Sequence, residues 1–141
     1  MQTSNISSKF SKLMLQKRKA LIPYIIPGIT SLEDTRDLVL SLEDAGSDII
    51  KIGIPFSDPV VDGPVLQKAS QLALNNGVNT DEVFETIDKI RQNSTIPIVF
   101  LVYYNCIFRY GRECFIKKCE QCGVDGLIIP DLPFEERQEL E

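Results

Sequence analysis

Apolar residues follow two rhythms along this chain of 141 residues. Near the amino terminus Ile6, Phe10, Leu13 and Met14 fall at helical spacing, which predicts an amphipathic helix within residues 1–18 lying against a larger body. Residues 20–26 form a continuous apolar run closed by Pro27 and Gly28, the pattern of a short buried strand ending in a turn. Ser31 is placed to cap a helix, Asp34 lies in its first turn where the dipole favours negative charge, and Leu38, Val39, Leu42 and Ala45 make its apolar stripe. Gly46 ends that helix, and after Asp48 the run 49–54 reads as a second strand. Two further stripes follow: Val65, Leu66, Ala69, Leu72 and Ala73, stopped by Gly77, and Val83, Phe84, Ile87 and Ile90. A third strand is predicted at 96–103, a helix at about 112–121, and a fourth strand at 126–129.

Strand and helix thus alternate, and the strands are apolar without interruption. A strand buried on both faces has no solvated side to be polar, so the pattern predicts a parallel sheet covered by helices, an α/β fold. The apolar runs close in Pro- and Gly-bearing segments: IIPG at 25–28, GIPFSDP at 53–59 and IIPDLP at 128–133. A doubly wound nucleotide fold would place a glycine fingerprint after the first strand, and none is there. A (β/α)8 TIM barrel, which carries its chemistry on loops at the carboxyl ends of the strands, fits better. A closed barrel takes ~250 residues and eight strands. The expectation is therefore a single partial barrel over 1–141, a half barrel with a helix in 1–18 and about four βα units in 19–141, whose open sheet edges invite self-association.

Composition narrows the chemistry. The chain is 43% hydrophobic and 25% charged, as a folded domain should be, and its formal charge of −5 disfavours nucleic acid and anionic membrane surfaces as partners. It contains no histidine, so any acid or base must be a carboxylate, Lys, Tyr or Cys. The absence of a secretory pattern and of any membrane-spanning run predicts a cytoplasmic location with reduced thiols. Cys119 and Cys122 form a C-x-x-C pair, but with Phe115 they share one helical face, so core packing is the reading preferred to zinc or redox chemistry. No metal site is predicted.

The most distinctive stretch is KIGIPFSDPVVDGPVLQ at 51–67, stiffened by three prolines and carrying Asp58 and Asp62 just past a strand. Asp before Pro and Asp before Gly are also common turn pairs, so local turn chemistry is the competing reading. GIPFSDPVVDGP closely resembles the signature of the alpha subunit of tryptophan synthase, and the similarity extends to PIVFLVYYN at 97–105, to Tyr110 and Gly111, and to GVDGLIIPDLP at 123–133. The resemblance implies a TIM-barrel lyase of tryptophan biosynthesis that cleaves indole-3-glycerol phosphate to indole and glyceraldehyde 3-phosphate. It implies no cofactor in this chain, because pyridoxal phosphate belongs to the beta subunit, the expected partner.

Residue by residue, the resemblance puts Asp62 on the catalytic aspartate that accepts the indole N–H, and Tyr24, Leu101, Tyr103 and Ile128 on positions lining the indole pocket. It makes Pro55, Phe56, Ser57, Asp58 and Pro59 the loop that faces the partner. Lys51 stands where the family has a glutamate that acts as general acid and base. A lysine ordinarily carries its proton at neutral pH and offers no lone pair, so turnover is expected to be severely reduced. The chain also ends near the fourth strand, before the region that holds substrate phosphate in such barrels. Two alternatives remain at this level: a non-catalytic module that docks the beta subunit, and a Schiff-base role for Lys51.

Overall fold

Residues 4–140 are described by the computed structural model, and the alternation seen in sequence resolves there into a four-stranded parallel sheet in the order β1–β2–β3–β4. The elements are α1 (Asn5–Leu15), β1 (Tyr24–Ile25), α2 (Leu32–Asp44), β2 (Ile50–Gly53), α3 (Pro64–Asn75), α4 (Thr80–Arg91), β3 (Ile98–Leu101), α5 (Tyr104–Tyr110), α6 (Arg112–Cys122) and β4 (Gly126–Ile128), followed by a 3-10 turn at Phe134–Glu139. Local chemistry starts the helices where expected: Ser31 Oγ accepts the Asp34 N–H at the head of α2. Asn79 and Glu82 form a reciprocal capping box on α4. Gly123 closes α6 in the left-handed conformation that a Cβ would strain.

The sheet register separates two faces. Ile50 pairs with Ile98, and Ile52 with Phe100; these four side chains are fully buried and join Val39 of α2, Phe84 and Ile87 of α4 and Phe115 of α6 in one core. Cys119 and Cys122 lie in that core, as the packing reading expects, and burial pushes their thiols up to about 12 and about 11. The other face carries Tyr24, Lys51, Gly53, Val99, Leu101, Gly126 and Ile128, brought side by side by the pairs Tyr24–Lys51, Lys51–Val99, Val99–Gly126, Gly53–Leu101 and Leu101–Ile128. On it Lys51, Val99 and Leu101 are half-buried and Ile128 is exposed, and α1 reaches it at Gly126 through Ile6.

At the amino ends of the strands, one device appears twice. Asp48, just before β2, donates its N–H to the Leu21 carbonyl (2.9 Å) and accepts the Leu21 N–H on its carboxylate (2.9 Å), with Arg18 bridging the same carboxylate. Asp125, just before β4, does the same to Ile98 (2.8 Å in each direction), with Arg91 at 3.1 Å and Asn5 at 2.6 Å. Each aspartate thereby latches its own strand to the preceding one. Burial opposes the charge on Asp48, but the Leu21 N–H and Arg18 outweigh it and hold the carboxyl below its ordinary range.

Three sequence expectations are corrected. The first strand was expected over 20–26, yet only Tyr24–Ile25 pairs as strand, because Pro23 and Pro27 bound it and cannot donate to a ladder. The stripes included Phe10, Met14, Leu38, Val65 and Leu72, all of which are exposed; Leu38 and Val65 lie on helices beside the unpaired edge of β1, where no neighbouring layer covers them. The third strand was expected to run to Tyr103, but it ends at Leu101; the Val102 N–H still donates to the Ile128 carbonyl at 3.0 Å, and Tyr103 leads directly into α5, a helix without a sequence precursor.

Candidate functional site

The site is assembled on the open face and the loops at the carboxyl ends of the strands. Tyr24 and Lys51 are register partners, so their side chains emerge together, and the Lys51 ammonium rests over the Tyr24 ring, 4.6 Å from its centroid. Leu101 and Ile128 continue the same face across β3 and β4. The apolar residues that the sequence selected as pocket lining are thus brought to one surface, with Ile128 exposed at its far side.

Tyr103 is placed differently. It is only 3% exposed, its ring packs on Phe56 with centroids 5.2 Å apart, and its hydroxyl accepts the Val61 N–H at 3.2 Å. That contact ties the loop after β2 to the end of β3, and the next residue in the loop is Asp62. Burial raises the Tyr103 phenol, the Val61 N–H partly offsets this, and the neighbouring Asp62 carboxylate adds to the rise. Tyr24 is pushed up to about 12, first by burial and then by Asp62 and Tyr103. Two neutral phenols therefore face one carboxylate.

Asp62 itself is half-buried. Its backbone N–H donates to the Pro59 carbonyl at 3.0 Å and its carbonyl accepts from Gln67 Nε2 at 2.9 Å, so the turn is closed by main-chain groups and the carboxylate is left available to the site. Asp58, by contrast, is exposed; its carboxylate accepts the Ser57 hydroxyl at 2.9 Å and its carbonyl accepts the Val60 N–H at 2.8 Å. The structure brings Tyr24, Lys51, Asp62 and Tyr103 together and leaves Asp58 outside that group. Pro55, Phe56 and Ser57 instead border a cleft of about 650 Å³ on the flank of the domain, opposite Cys106, Arg109 and Tyr110.

Two contributors had no role in the sequence reading. Gly53 lies directly beneath the Tyr24 ring, where a Cβ would sit 2.2 Å from the hydroxyl oxygen. Asp131, within the IIPDLP segment, accepts the Tyr104 N–H at 2.8 Å and so caps α5 from the loop after β4. The strand-end segment was visible in sequence; its target was not. Among the described residues no group of three or more Cys, Asp or Glu side chains converges to hold a metal ion, and no helix is long and apolar enough to cross a membrane.

Comparison with known proteins places this geometry among relatives. A family model described as tryptophan synthase alpha chain matches residues 10–141. The tryptophan synthase alpha chain of Alkaliphilus metalliredigens is 56% identical over 138 residues, which is 98% of this chain and 52% of that one. The corresponding protein of Thermoanaerobacter sp. is 53% identical over 137 residues. Among solved structures, the alpha subunit of Legionella pneumophila superposes with a TM-score of 0.95 at 35% identity, covering 99% of this chain and 53% of that one. A chain of the a2b2 tryptophan synthase complex of Pyrococcus furiosus superposes at 0.82 with 38% identity, over 86% and 48%. The chain spans about half the length of the curated relatives it matches.

Proposed function

Because the chain belongs to the tryptophan synthase alpha chain family, we propose that its open sheet face receives the indole ring of indole-3-glycerol phosphate in cytoplasmic tryptophan biosynthesis. In this reading Tyr24, Leu101 and Ile128 contact the ring, and Asp62 accepts the ring N–H. Cleavage of the carbon–carbon bond between the ring and the glycerol chain requires the ring carbon to be protonated, which places positive charge on the indole. A fixed carboxylate at the N–H stabilises that charge more in the transition state than in the ground state. The observation that carries the proposal is the half-buried Asp62 carboxylate beside the Tyr24 and Tyr103 phenols, at the rim of a face whose other side chains, Lys51 apart, are apolar.

Lys51 limits the chemistry. At the position of the family's acid–base glutamate it presents an ammonium seated on an aromatic ring, a group with no lone pair to take the proton of the substrate's C3 hydroxyl. Slow turnover follows, with ring binding retained. Steady-state indole formation in Lys51→Glu, made in a full-length context and assayed with and without a beta subunit, tests this: a gain of at least ~100-fold is expected. No gain counts against the assignment of position 51.

A second reading, a non-catalytic module that docks the beta subunit through Pro55, Phe56, Ser57, Asp58 and Pro59, draws support from Lys51 itself and from the exposure of Ser57 and Asp58. Beta-subunit binding with no turnover in either the parent or Lys51→Glu would select it. The unpaired edges of β1 and β4 carry the further expectation of self-association.

A further inference from the structure

We infer that Gly53 is a specificity-determining position: the missing side chain is the seat on which the Tyr24 ring lies, and it sets the depth of the slot that receives a flat bicyclic ring. The inference rests on the ring-binding reading above and adds to it the residue that fixes the slot's floor.

Glycine in a strand interior weakens the strand and needs a reason. Backbone conformation is not the reason here, because Gly53 is absent from the glycines with positive φ, which are Gly28, Gly46, Gly77, Gly111 and Gly123. Space is. A Cβ at position 53 would lie 2.2 Å from the Tyr24 hydroxyl oxygen, 2.8 Å from Cζ and 2.9 Å from Cε2. These atoms are the outer end of the ring, so the ring crosses from β1 to β2 and comes down flush on bare backbone. Because Tyr24 pairs with Lys51, its side chain reaches Gly53 diagonally, two positions further along the neighbouring strand.

The second glycine on this face makes a control. A Cβ at Gly126 would meet Ile6 Cδ1 at 3.3 Å and Val99 Cγ2 at 3.8 Å, so that gap serves the packing of α1. The gap at Gly53 lies at the carboxyl end of β2 and holds an aromatic ring. Ordinary carbon contacts lie at ~3.5–4.0 Å, so an alanine there lifts Tyr24 by more than ~1 Å. The lifted ring moves out over the face in front of Leu101, the register partner of Gly53, and leaves its seat under the Lys51 ammonium.

The test uses the 141-residue chain and indole as probe; the chain has no tryptophan, so indole's own fluorescence reports binding. Gly53→Ala is expected to weaken indole at least ~10-fold, the scale on which one methylene discriminates in an apolar pocket. The Tyr24 ring signal of tyrosine-labelled protein, assigned with Tyr24→Phe, should shift, and its titration should fall from about 12 towards the ordinary ~10. Gly53→Ala combined with Tyr24→Leu removes the collision, so the alanine should cost little indole affinity when the double variant is compared with Tyr24→Leu alone. Unchanged indole affinity in Gly53→Ala, or an unmoved Tyr24 signal, overturns the inference alone. A parent chain that does not bind indole overturns the proposed function and this inference together. Should Gly53→Ala fail to fold, the double variant decides: folding with indole bound supports the seat, and failure to fold shows that glycine is needed for another reason.

Discussion

The two ends of the sheet use aspartate in opposite ways. At the amino ends Asp48 and Asp125 are engaged by the fold, each holding a main-chain N–H of the neighbouring segment, Leu21 or Ile98, and an arginine. At the carboxyl ends Asp62 closes its turn through its backbone and leaves its carboxylate facing two phenols, while the exposed Asp58 carboxylate accepts a neighbouring hydroxyl. The same side chain is a structural latch where its acceptors are consumed by the fold, and a reactive group where the fold satisfies the backbone by other means. Burial alone does not separate these roles; the number of acceptor sites left over does.

The contrast can be broken by removing each carboxylate in turn. Asp48→Ala is expected to have the largest effect, a loss of about 3 kcal/mol in urea unfolding, because it strands the Leu21 N–H and deprives a buried charge-assisted cluster of its acceptor. The folded-state pKa of Asp48 is depressed, so its contribution is present above the ordinary carboxylate range, near ~4, and is lost as pH falls through the folded value. Acid unfolding of the parent should therefore steepen below that range, and that part of the slope should vanish in Asp48→Ala. Asp62→Asn comes next: stability within ~0.5 kcal/mol of the parent, but indole affinity down by about 10-fold, the worth of a hydrogen bond to a charged group. Asp58→Ala is expected to change neither stability beyond ~0.5 kcal/mol nor indole binding. A large stability loss in Asp62→Asn, matching Asp48→Ala, would erase the distinction between the two ends.

Sequence pattern exposed the alternation, the parallel sheet and the stiff segment around Asp62, because these depend on local periodicity and turn chemistry. It overran the first strand because seven apolar residues look continuous, whereas pairing is limited by the two prolines that bound Tyr24–Ile25. It misjudged Leu38 and Val65 because a helical stripe tells which side is apolar, not whether a neighbour arrives to cover it. Tyr24 and Lys51, both selected from sequence, are register partners on adjacent strands and so share a face. Gly53 escaped notice because its partner, Tyr24, lies 29 positions earlier in the chain (53 − 24), and only the register makes them neighbours.

The cap on α5 sets an order of events. A helix of seven residues cannot persist in water by itself, and Tyr103, at its head, supplies no side-chain hydrogen bond of its own. The acceptor comes from Asp131, 27 positions downstream. As the nascent polypeptide emerges, α5 gains this cap only once the loop after β4 has been synthesised and docked. The loop after β4 thereby finishes a turn of helix begun much earlier, immediately beside Tyr103 and its contact with the loop that carries Asp62.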